Sequence, residues 1–420
     1  MDNINGLISF IGKSKTAYHA VDAVKSELLS AGFLPLPDAP LEDGRGYFAE
    51  KNGSSIIAFR YQKNARGFMI CASHSDSPAF KLKLNEKKSG AYTTLATEKY
   101  GGMLYYSWFD RPLSVAGRVI IDGDRGLEIR LVDIDRDLLV IPSLAIHMNR
   151  GVNDGFAPNP ASDLLPLLSV GEASITELIA EKLGVPRSAV IDHDLFLYNR
   201  EEGRAIGKDG EFILAPRLDD LACVYSSLTA FLSAEPNAAS VPVLAVFDNE
   251  EVGSATKQGA DSAFMQSILS RLSGEKYSKM IKSSFMISAD NAHAIHPNRP
   301  EMADPTNAPV LNSGVVIKYN ANQRYATDGL SAAIFKKLAA ISGVKLQSYA
   351  NRADLPGGST LGSIASTGVP VSTVDVGIAQ LAMHSASELI GARDLSDMIA
   401  VMRAHYSSAL EFTDGAVKLI

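Results

Sequence analysis

Strand-like and helix-like segments alternate over most of this 420-residue chain, and this alternation constrains its fold more than any other feature. The apolar runs at 241–247 and 284–288 are typical of strands, whereas 329–341 and 395–412 carry apolar residues at helical spacing. Because strands that alternate with helices usually form a sheet with helices on its faces, the pattern predicts an α/β fold. We expect a mixed, largely parallel sheet flanked by helices.

A segment of different character interrupts this alternation. Between about residues 84 and 213 strand-like runs dominate, among them a predicted hairpin at 118–132 and a run at 138–141. A chain of 420 residues is also long for one compact core. We therefore predict two domains, a discontinuous one formed by 1–83 and 214–420 and a β-rich one inserted at 84–213.

Two local signals in the inserted segment are specific enough to predict boundaries. The dipeptide Asp122-Gly123 predicts the turn of the hairpin. Ser174 and Glu177 have the spacing of a capping box at a helix start, and Gly184 predicts where that helix ends. The β-rich segment is therefore expected to contain at least one hairpin and one helix.

The composition excludes several classes of function. The net charge of −7 argues against nucleic acid and anionic membranes as partners, and no apolar stretch reaches the roughly 18 residues expected of a membrane span. The first residues, MDNINGLISFIGKSK, lack the pattern of a signal peptide. Cys71 and Cys223 are the two cysteines and do not make a disulfide framework, so we predict a cytoplasmic location.

Histidine and carboxylate side chains occur where several predicted strands end. Because ligands of α/β sheets bind at the carboxyl ends of the strands, side chains at these positions are expected to lie close together. Each of them alone has an ordinary structural explanation, such as a helix N-cap or a solvated turn, and only the joint pattern is specific. The residues concerned are His74, Asp76, Asp248, Glu250, Glu251, Asp290 and His384, with Asp219 and Asp220 at a predicted helix start.

This set has the chemistry of a site for two divalent cations. Imidazole and carboxylate groups suit zinc, and manganese and cobalt remain alternatives. Two such ions carry four positive charges, which three carboxylates and a bridging hydroxide would balance. The predicted ligands are His74, Asp219, Glu251, Asp290 and His384.

Two further carboxylates have predicted roles beside the ligands. Asp76 lies two residues after His74, on the same side of the strand, and is expected to orient its imidazole. The side chains of Glu250 and Glu251 diverge because the two residues are adjacent. Glu251 is therefore predicted to bind a cation, while Glu250 acts on the attacking water as general base and then as general acid.

Six motifs give the chain a resemblance to a known family. The resemblance extends from about residue 18 to residue 410 and includes SHSDSPAFKLK, RLDDL, DNEEVGS, SADNAHAIHPN, IKYNANQRYATD and QLAMHS. The chain resembles the aspartyl aminopeptidases, a family of dinuclear zinc exopeptidases. The resemblance implies that one metal is held by His74 and Asp290, that the other is held by Glu251 and His384, and that Asp219 bridges them.

The resemblance also implies further roles. Glu250 matches the catalytic base, and the reaction is expected to remove N-terminal residues, with a preference for Asp or Glu, from peptides with a free amine. The inserted segment matches a dimerisation domain, and the family assembles into tetrahedral dodecamers. His147 matches a histidine given to the neighbouring subunit's active site, with direct metal binding as an alternative. Lys318 matches a basic residue that pairs with an acidic substrate side chain, and Asp354 is expected to hold the α-amino group.

The chain departs from the family pattern at one position beside the predicted bridge. Asp220 stands where Asn is usual, and an additional carboxylate there would alter the metal preference. Three alternatives stay open. They are an aminopeptidase with a neutral residue preference, another co-catalytic zinc deacylase or carboxypeptidase, and a non-enzymatic oligomeric shell with a vestigial site. Activity on free-amine peptides but not on N-blocked ones would distinguish the aminopeptidase from the other hydrolases.

Overall fold

The computed structural model of the chain describes residues 2–420. The helices follow most of the predicted helical segments, although the last one ends at Tyr406, because residues 410–413 form a strand. They are α1 (Asp2–Lys13), α2 (Ala17–Ser30), α3 (Ile175–Leu183), α4 (Leu218–Ser233), α5 (Phe264–Ser273), α6 (Tyr277–Lys282), α7 (Gly329–Ser342), α8 (Leu361–Gly368) and α9 (Ala392–Tyr406).

The strands are distributed over a large sheet and three smaller ones. In chain order they are β1 (Leu34–Pro35), β2 (Gly46–Lys51), β3 (Ser55–Arg60), β4 (Gly67–His74), β5 (Ala79–Ser89), β6 (Tyr92–Tyr100), β7 (Leu113–Gly123), β8 (Gly126–Asp133), β9 (Leu167–Val170), β10 (Val190–Asn199), β11 (Arg204–Ile206), β12 (Phe212–Ala215), β13 (Ser240–Phe247), β14 (Phe285–Ala289), β15 (Ala292–His293), β16 (Val315–Tyr319), β17 (Leu346–Ala350), β18 (Ser372–Gly377), β19 (Ala379–Leu381), β20 (Glu388–Gly391), β21 (Leu410–Thr413) and β22 (Ala416–Leu419).

The large sheet has nine strands in the order β1-β2-β3-β13-β4-β14-β18-β16-β17. Its four central strands, from β13 to β18, are parallel, while β3 pairs antiparallel with β13 and β16 pairs antiparallel with β18. Every residue of β4 and β13 is buried, as expected of strands covered on both faces. The prediction of a mixed, largely parallel sheet flanked by helices is confirmed.

Alternate side chains of one strand enter two different cores. In β4, Met69 and Cys71 join the core that lies against α1, α2, α4, α7 and α9. Phe68 and Ile70 join the core on the opposite face, against α5, α6 and α8. Because successive side chains of a strand point to opposite faces, burial on both sides fixes the register of the strand, and with it the position of the strand's carboxyl end.

A second sheet of six strands, in the order β8-β7-β10-β5-β6-β9, forms a body with a core of its own. Phe80, Leu195 and Ile179 are buried in this core, and Ile179 is contributed by α3. The strands that follow, β11 and β12, pair with each other, and β12 pairs with β20 near the end of the chain. The domain limits at residues 84 and 213 stay a prediction.

Three local expectations for this body need correction. The hairpin of β7 and β8 turns at Asp124-Arg125 rather than at Asp122-Gly123, because Gly126, with a φ of +92°, supplies the left-handed conformation that closes the loop. Helix α3 ends at Gly184 as predicted, but the side chain of Ser174 makes no capping bond, and Glu86 accepts the hydrogen bond from Ile175 N–H at 2.8 Å. The predicted strand at 138–141 makes only isolated bridges.

No helix within residues 2–420 combines the length and the apolar character that crossing a membrane requires.

Candidate metal centre

The structure gathers the predicted cluster at the carboxyl end of the large sheet. His74 is the last residue of β4, and Asp290 directly follows β14. Glu250 and Glu251 lie in a short 3-10 turn after β13, and His384 lies in the loop between β19 and β20. Parallel strands end at the same edge of a sheet, which is why residues that are far apart in the sequence meet here.

Asp219 lies between the two imidazoles. Its Oδ1 is 3.6 Å from Nε2 of His74, and its Oδ2 is 3.3 Å from Nε2 of His384. His74 Nε2 is also 4.0 Å from Oδ1 of Asp290, and His384 Nε2 is 3.4 Å from Oε2 of Glu251. The two oxygens of one carboxylate therefore face two separate groups of ligand atoms.

These separations fit divalent cations. Two ligand atoms that lie about 2.0–2.2 Å from one zinc ion at tetrahedral angles are about 3.3–3.6 Å apart. Two groups of possible ligands, each within 4.8 Å, share Asp219: one also contains His74, Asp220 and Asp290, and the other Glu251 and His384. Oδ1 of Asp219 and Oε1 of Glu251 are buried without a hydrogen-bond partner within residues 2–420. Buried carboxylate oxygens in this state favour a cation.

The electrostatics of the cluster lead to the same conclusion. Burial raises the pKa of Glu251 well above its usual value and the pKa of Glu250 to about 8. Burial alone would lower the pKa of His384, but the carboxylates of Asp219 and Glu251 outweigh it and raise this pKa to about 10. The raised pKa of the His384 imidazole reflects the negative potential of these carboxylates, which also attracts cations.

Asp219 and Asp220 do not have the helical conformation expected of a helix start. Their backbone angles are non-helical, and a cis peptide bond joins them. Oδ2 of Asp220 accepts a hydrogen bond from His74 N–H at 3.2 Å, and its Oδ1 lacks a partner within residues 2–420. Asp220 therefore adds a third carboxylate, beside Asp219 and Asp290, to the side of the cluster that contains His74.

Asp76 contacts the backbone of both glutamates. Its carboxylate accepts hydrogen bonds from the N–H groups of Glu250 and Glu251 at 3.2 and 3.1 Å, and from the hydroxyl of Tyr100 at 2.6 Å. Oδ1 of Asp76 is 3.4 Å from Nδ1 of His74, which also contacts the Asp76 carbonyl oxygen at 3.0 Å. Asp76 thus contacts the imidazole of His74 and also holds the turn that carries both glutamates.

Sequence reasoning missed Glu388, which is fully buried at the start of β20. Its carboxylate accepts hydrogen bonds from the backbone N–H groups of Asp219 and His384. The only hint of its role in the sequence is that a charged residue begins the apolar run ELIG, four residues after His384. Its partners are distant along the chain, so the signal did not reveal what it binds.

Lys318 is only 2% exposed and lies behind Asp290. Its ammonium group is 3.2 Å from Oδ2 of Asp290 and 3.3 Å from the carbonyl oxygen of Asn291, and it lies 5.2 Å from the ring centroid of Tyr325. Burial alone would lower the pKa of Lys318, but the attraction of Asp290 outweighs it and raises the pKa. Lys318 is therefore charged and adjoins the cluster, although almost none of its surface is exposed to solvent.

Two other predicted residues lie away from the cluster. Asp354 has a side chain that is 61% exposed and pairs with Arg352 at 2.6 Å, so the structure does not place it beside the metals as expected. Arg352, two residues away in the sequence, pairs with the carboxylate of Asp354. The prediction had assigned this carboxylate to the α-amino group of the substrate. His147 is exposed, in a segment between β8 and β9 that lacks regular secondary structure.

Comparisons with known sequences agree with this chemistry. The family model described as aminopeptidase I zinc metalloprotease (M18) matches residues 10–406. A protein of Clostridium acetobutylicum named probable M18 family aminopeptidase 2 is 43% identical over 410 residues, which cover 92% of this chain and 94% of the relative. A protein of the same name from Pseudomonas aeruginosa is 39% identical over 421 residues, covering 96% and 98%.

Solved structures show the same fold. A chain in the cryo-EM structure of the Ape4 and Nbr1 complex superimposes with a TM-score of 0.93 at 35% identity, covering 96% of this chain and 85% of that one. A chain of the S. cerevesiae mApe1 dodecamer gives a TM-score of 0.83 at 27% identity, covering 96% of each chain. The family match, the relatives and the cluster of histidine and carboxylate groups agree: the chain belongs to the M18 family of aminopeptidases, which are zinc metalloproteases.

Proposed function

We propose that this aminopeptidase removes the N-terminal residue of peptides at a centre of two divalent cations. The observation that carries the proposal is the placement of Asp219, whose two oxygens face the imidazoles of His74 and His384. A carboxylate in this position is suited to bridge two ions, and each imidazole has a second carboxylate within 4.0 Å. These partners are Asp290 for His74 and Glu251 for His384.

The ligand set divides into two halves. His74 and Asp290 would hold one ion, Glu251 and His384 the other, and Asp219 both. Imidazole with carboxylate suits zinc, the metal of the family, while manganese and cobalt bind similar ligands. Elemental analysis of the purified protein should find about two ions per chain, and a content of one ion or none would contradict the proposal.

Glu250 is the residue proposed to move protons. Its side chain is half-buried, and one of its oxygens lies within 4.8 Å of ligand atoms of His74 and Glu251. When bound, the ions would polarise the scissile carbonyl group and acidify the attacking water. Glu250 takes one proton from that water as the oxygen bonds to the carbonyl carbon. It then delivers this proton to the peptide nitrogen as the carbon–nitrogen bond breaks, so the products are a free amino acid and a shortened peptide.

Replacing Glu250 tests this role. Glu250→Gln should retain the metals but lower kcat by about 10²–10⁴-fold, since the amide cannot accept the proton. The exposed Glu275→Gln is a matched control that should keep the wild-type rate. A metal-loaded Glu250→Gln enzyme with near wild-type kcat would rule the role out. Assays of free-amine against N-acetylated peptides separate this reaction from that of a deacylase or carboxypeptidase.

We also propose a preference for acidic N-terminal residues. The support is Lys318, a buried cation beside the cluster whose ammonium group has two oxygen partners, Asp290 and the Asn291 carbonyl. An ammonium group has three hydrogens, so one donor remains for a substrate carboxylate. A neutral preference is the alternative. Initial rates on a series of aminoacyl substrates distinguish the two, because an enzyme that cleaves Leu or Ala faster than Asp or Glu has no acidic preference.

We further propose that the chain works as a homo-oligomer built through the body that contains the six-stranded sheet. Two apolar residues of its edge strand β8 are well exposed, Leu127 at 71% and Ile129 at 65%. Exposed Ile146 and Met148 flank His147, which is the pattern of a segment that a neighbouring subunit covers. The mApe1 structure named above is a dodecamer. Light scattering should show a large assembly, and His147→Ala should lower activity without dissociating it.

A further inference from the structure

A cavity of about 350 Å³ lies between the body that contains the six-stranded sheet and the part of the chain that contains the nine-stranded sheet. Its walls come from the start of α2, from strands β5, β7 and β10 of the six-stranded sheet, and from the segment before α4. It includes Asp76 and Glu388, which support the metal cluster, but none of the five predicted ligands lines it. The cavity is therefore distinct from the place where the peptide bond is cleaved.

Two cations in this cavity have no carboxylate partner. Lys15 and Arg217 both lie over the ring of Tyr198, with their charged groups 5.0 and 6.0 Å from its centroid. Within residues 2–420 neither has a carboxylate oxygen within 4.0 Å, and Arg217 donates only to the carbonyl oxygens of Ser14 and Ile11. Both side chains are half-buried, so water screens their charges only in part.

The nearby carboxylates are already engaged with other groups. Asp133 accepts the hydroxyl hydrogen bond of Tyr198 at 2.6 Å, and Asp135 pairs with Arg200 at 2.8 Å. Burial and the neighbouring charge of Arg217 lower the pKa of Lys15, and the attraction of these two carboxylates does not restore it. Two neighbouring cations in a partly dry cavity, neither of them directly paired with a carboxylate, favour the binding of an anion.

The other charged residues of the cavity are three cations and four carboxylates, so its positive character is local to Lys15 and Arg217. Lys81 and Arg118 share one carboxylate, that of Asp194, at 2.7 and 2.8 Å. The first turn of α2 also adjoins the cavity, and the side chain of its N-cap residue Thr16 bonds to His19 instead of capping the helix. Backbone N–H groups at such a helix start add to the attraction for an anion that the cation pair creates.

We propose that this cavity binds a small organic oxyanion, whose carboxylate or phosphate group is held between Lys15 and Arg217. The volume and the aromatic wall of Tyr198 leave room for a carbon skeleton beyond the charged group. Because none of the five proposed metal ligands lines the cavity, the bound oxyanion would be an effector of the peptidase and not its substrate.

Isothermal titration of the full-length, metal-loaded protein tests this site. The probes are sodium succinate for the carboxylate and sodium sulfate for the phosphate group, each at constant ionic strength set with sodium chloride. We expect saturable binding of at least one probe, and the probe that binds identifies the class of the ligand. If neither probe binds beyond the chloride baseline, the proposal is wrong.

Lys15→Met locates the binding, because it keeps most of the side-chain length and removes the charge. It should weaken binding by about 10-fold or more, whereas Lys15→Arg should retain it. Lys13→Met, at the exposed end of α1, is the matched control and should bind as the wild type does. Equal melting temperatures without the probe would show that Lys15→Met is folded. Wild-type affinity in Lys15→Met would place the anion elsewhere, for example at the metals, and would overturn the proposal.

Discussion

The carboxylate of Glu388 accepts a hydrogen bond from the backbone N–H of His384 at 2.6 Å. Its other oxygen accepts one from the N–H of Asp219 at 2.9 Å. One buried side chain at the start of β20 thus fixes the backbone of two proposed ligands that lie 165 residues apart in the sequence (384 − 219). Glu388 does not enter the cluster itself, and its expected effect on the metals is through position.

Replacing Glu388 with Gln should weaken metal binding. An amide presents one oxygen and one NH₂ group, so one of the two backbone N–H groups would face a donor instead of an acceptor. Loss of such a supporting contact typically lowers metal affinity by about 10–100-fold, measurable by competition with a zinc chelator. Glu177→Gln, an exposed change on α3, is the matched control. Zinc affinity within twofold of the wild type would show that Glu388 has no positioning role.

Replacing Asp76 with Asn should lower kcat more than it lowers metal content. Asp76 positions the N–H groups of Glu250 and Glu251, and an Asn side chain can accept from only one of them. We expect kcat to fall about 10–100-fold. Tyr100→Phe removes one donor to Asp76 and leaves its carboxylate in place, so its effect should be smaller. Equal kcat values for Asp76→Asn and Tyr100→Phe would contradict this account.

The sequence predicted which residues meet at the sheet edge because burial on both faces fixes where each strand ends. The apolar runs before His74 and Asp290 are continuous, so their last residues could be located to within one or two positions. The shared edge of parallel strands then brings these ends together without knowledge of the loops. His384 was placed less directly, because its loop connects β19 and β20, which belong to the five-stranded sheet.

Contacts that depend on the path of the loops could not be predicted. Glu388 accepts a hydrogen bond from the backbone N–H of Asp219, and the hydroxyl of Tyr100 accepts one from the side-chain amide of Asn249. Both partners are more than 100 positions away, and the local sequence carries no sign of them. Asp354 was expected near the metals because of its motif, whereas a neighbouring arginine pairs with it at the surface. Lys318 was expected to pair with an acidic substrate side chain, and its position behind Asp290 depends on how β16 packs.

Replacing Lys318 with Met should change substrate preference. If Lys318 binds acidic substrate side chains, the ratio of kcat/KM for N-terminal Asp to that for N-terminal Ala should fall about 10-fold or more. The ratio is the useful quantity, because the loss of the ion pair with Asp290 affects both substrates alike. Lys336→Met, an exposed change on α7, should leave the ratio unchanged. An unaltered ratio in Lys318→Met would show that Lys318 only supports Asp290.

His405 should make the fold sensitive to acid. It is completely buried in α9, its Nε2 is 3.0 Å from the carbonyl oxygen of Ile70, and the rings of Phe285 and Tyr406 pack around it. Burial lowers its pKa to about 3, while the unfolded chain binds the same proton at its ordinary pKa of about 6.5. The unfolded state therefore takes up the extra proton between these values. The contribution of His405 to stability is intact above pH 6.5 and is lost as the pH falls toward 3.

From pH 7 to pH 5 this linkage costs about 2 kcal/mol of unfolding free energy. His405→Met cannot take up the proton, so its loss of stability over the same interval should be smaller by about that amount. Urea unfolding at pH 7, 6 and 5 and at one protein concentration measures the difference, and comparing each protein with itself cancels any general loss caused by the substitution. His296→Met, an exposed change, should retain the wild-type acid dependence. If His405→Met loses as much stability as the wild type, then His405 takes up its proton at the same pH in the folded protein as in the unfolded chain, and burial does not lower its pKa.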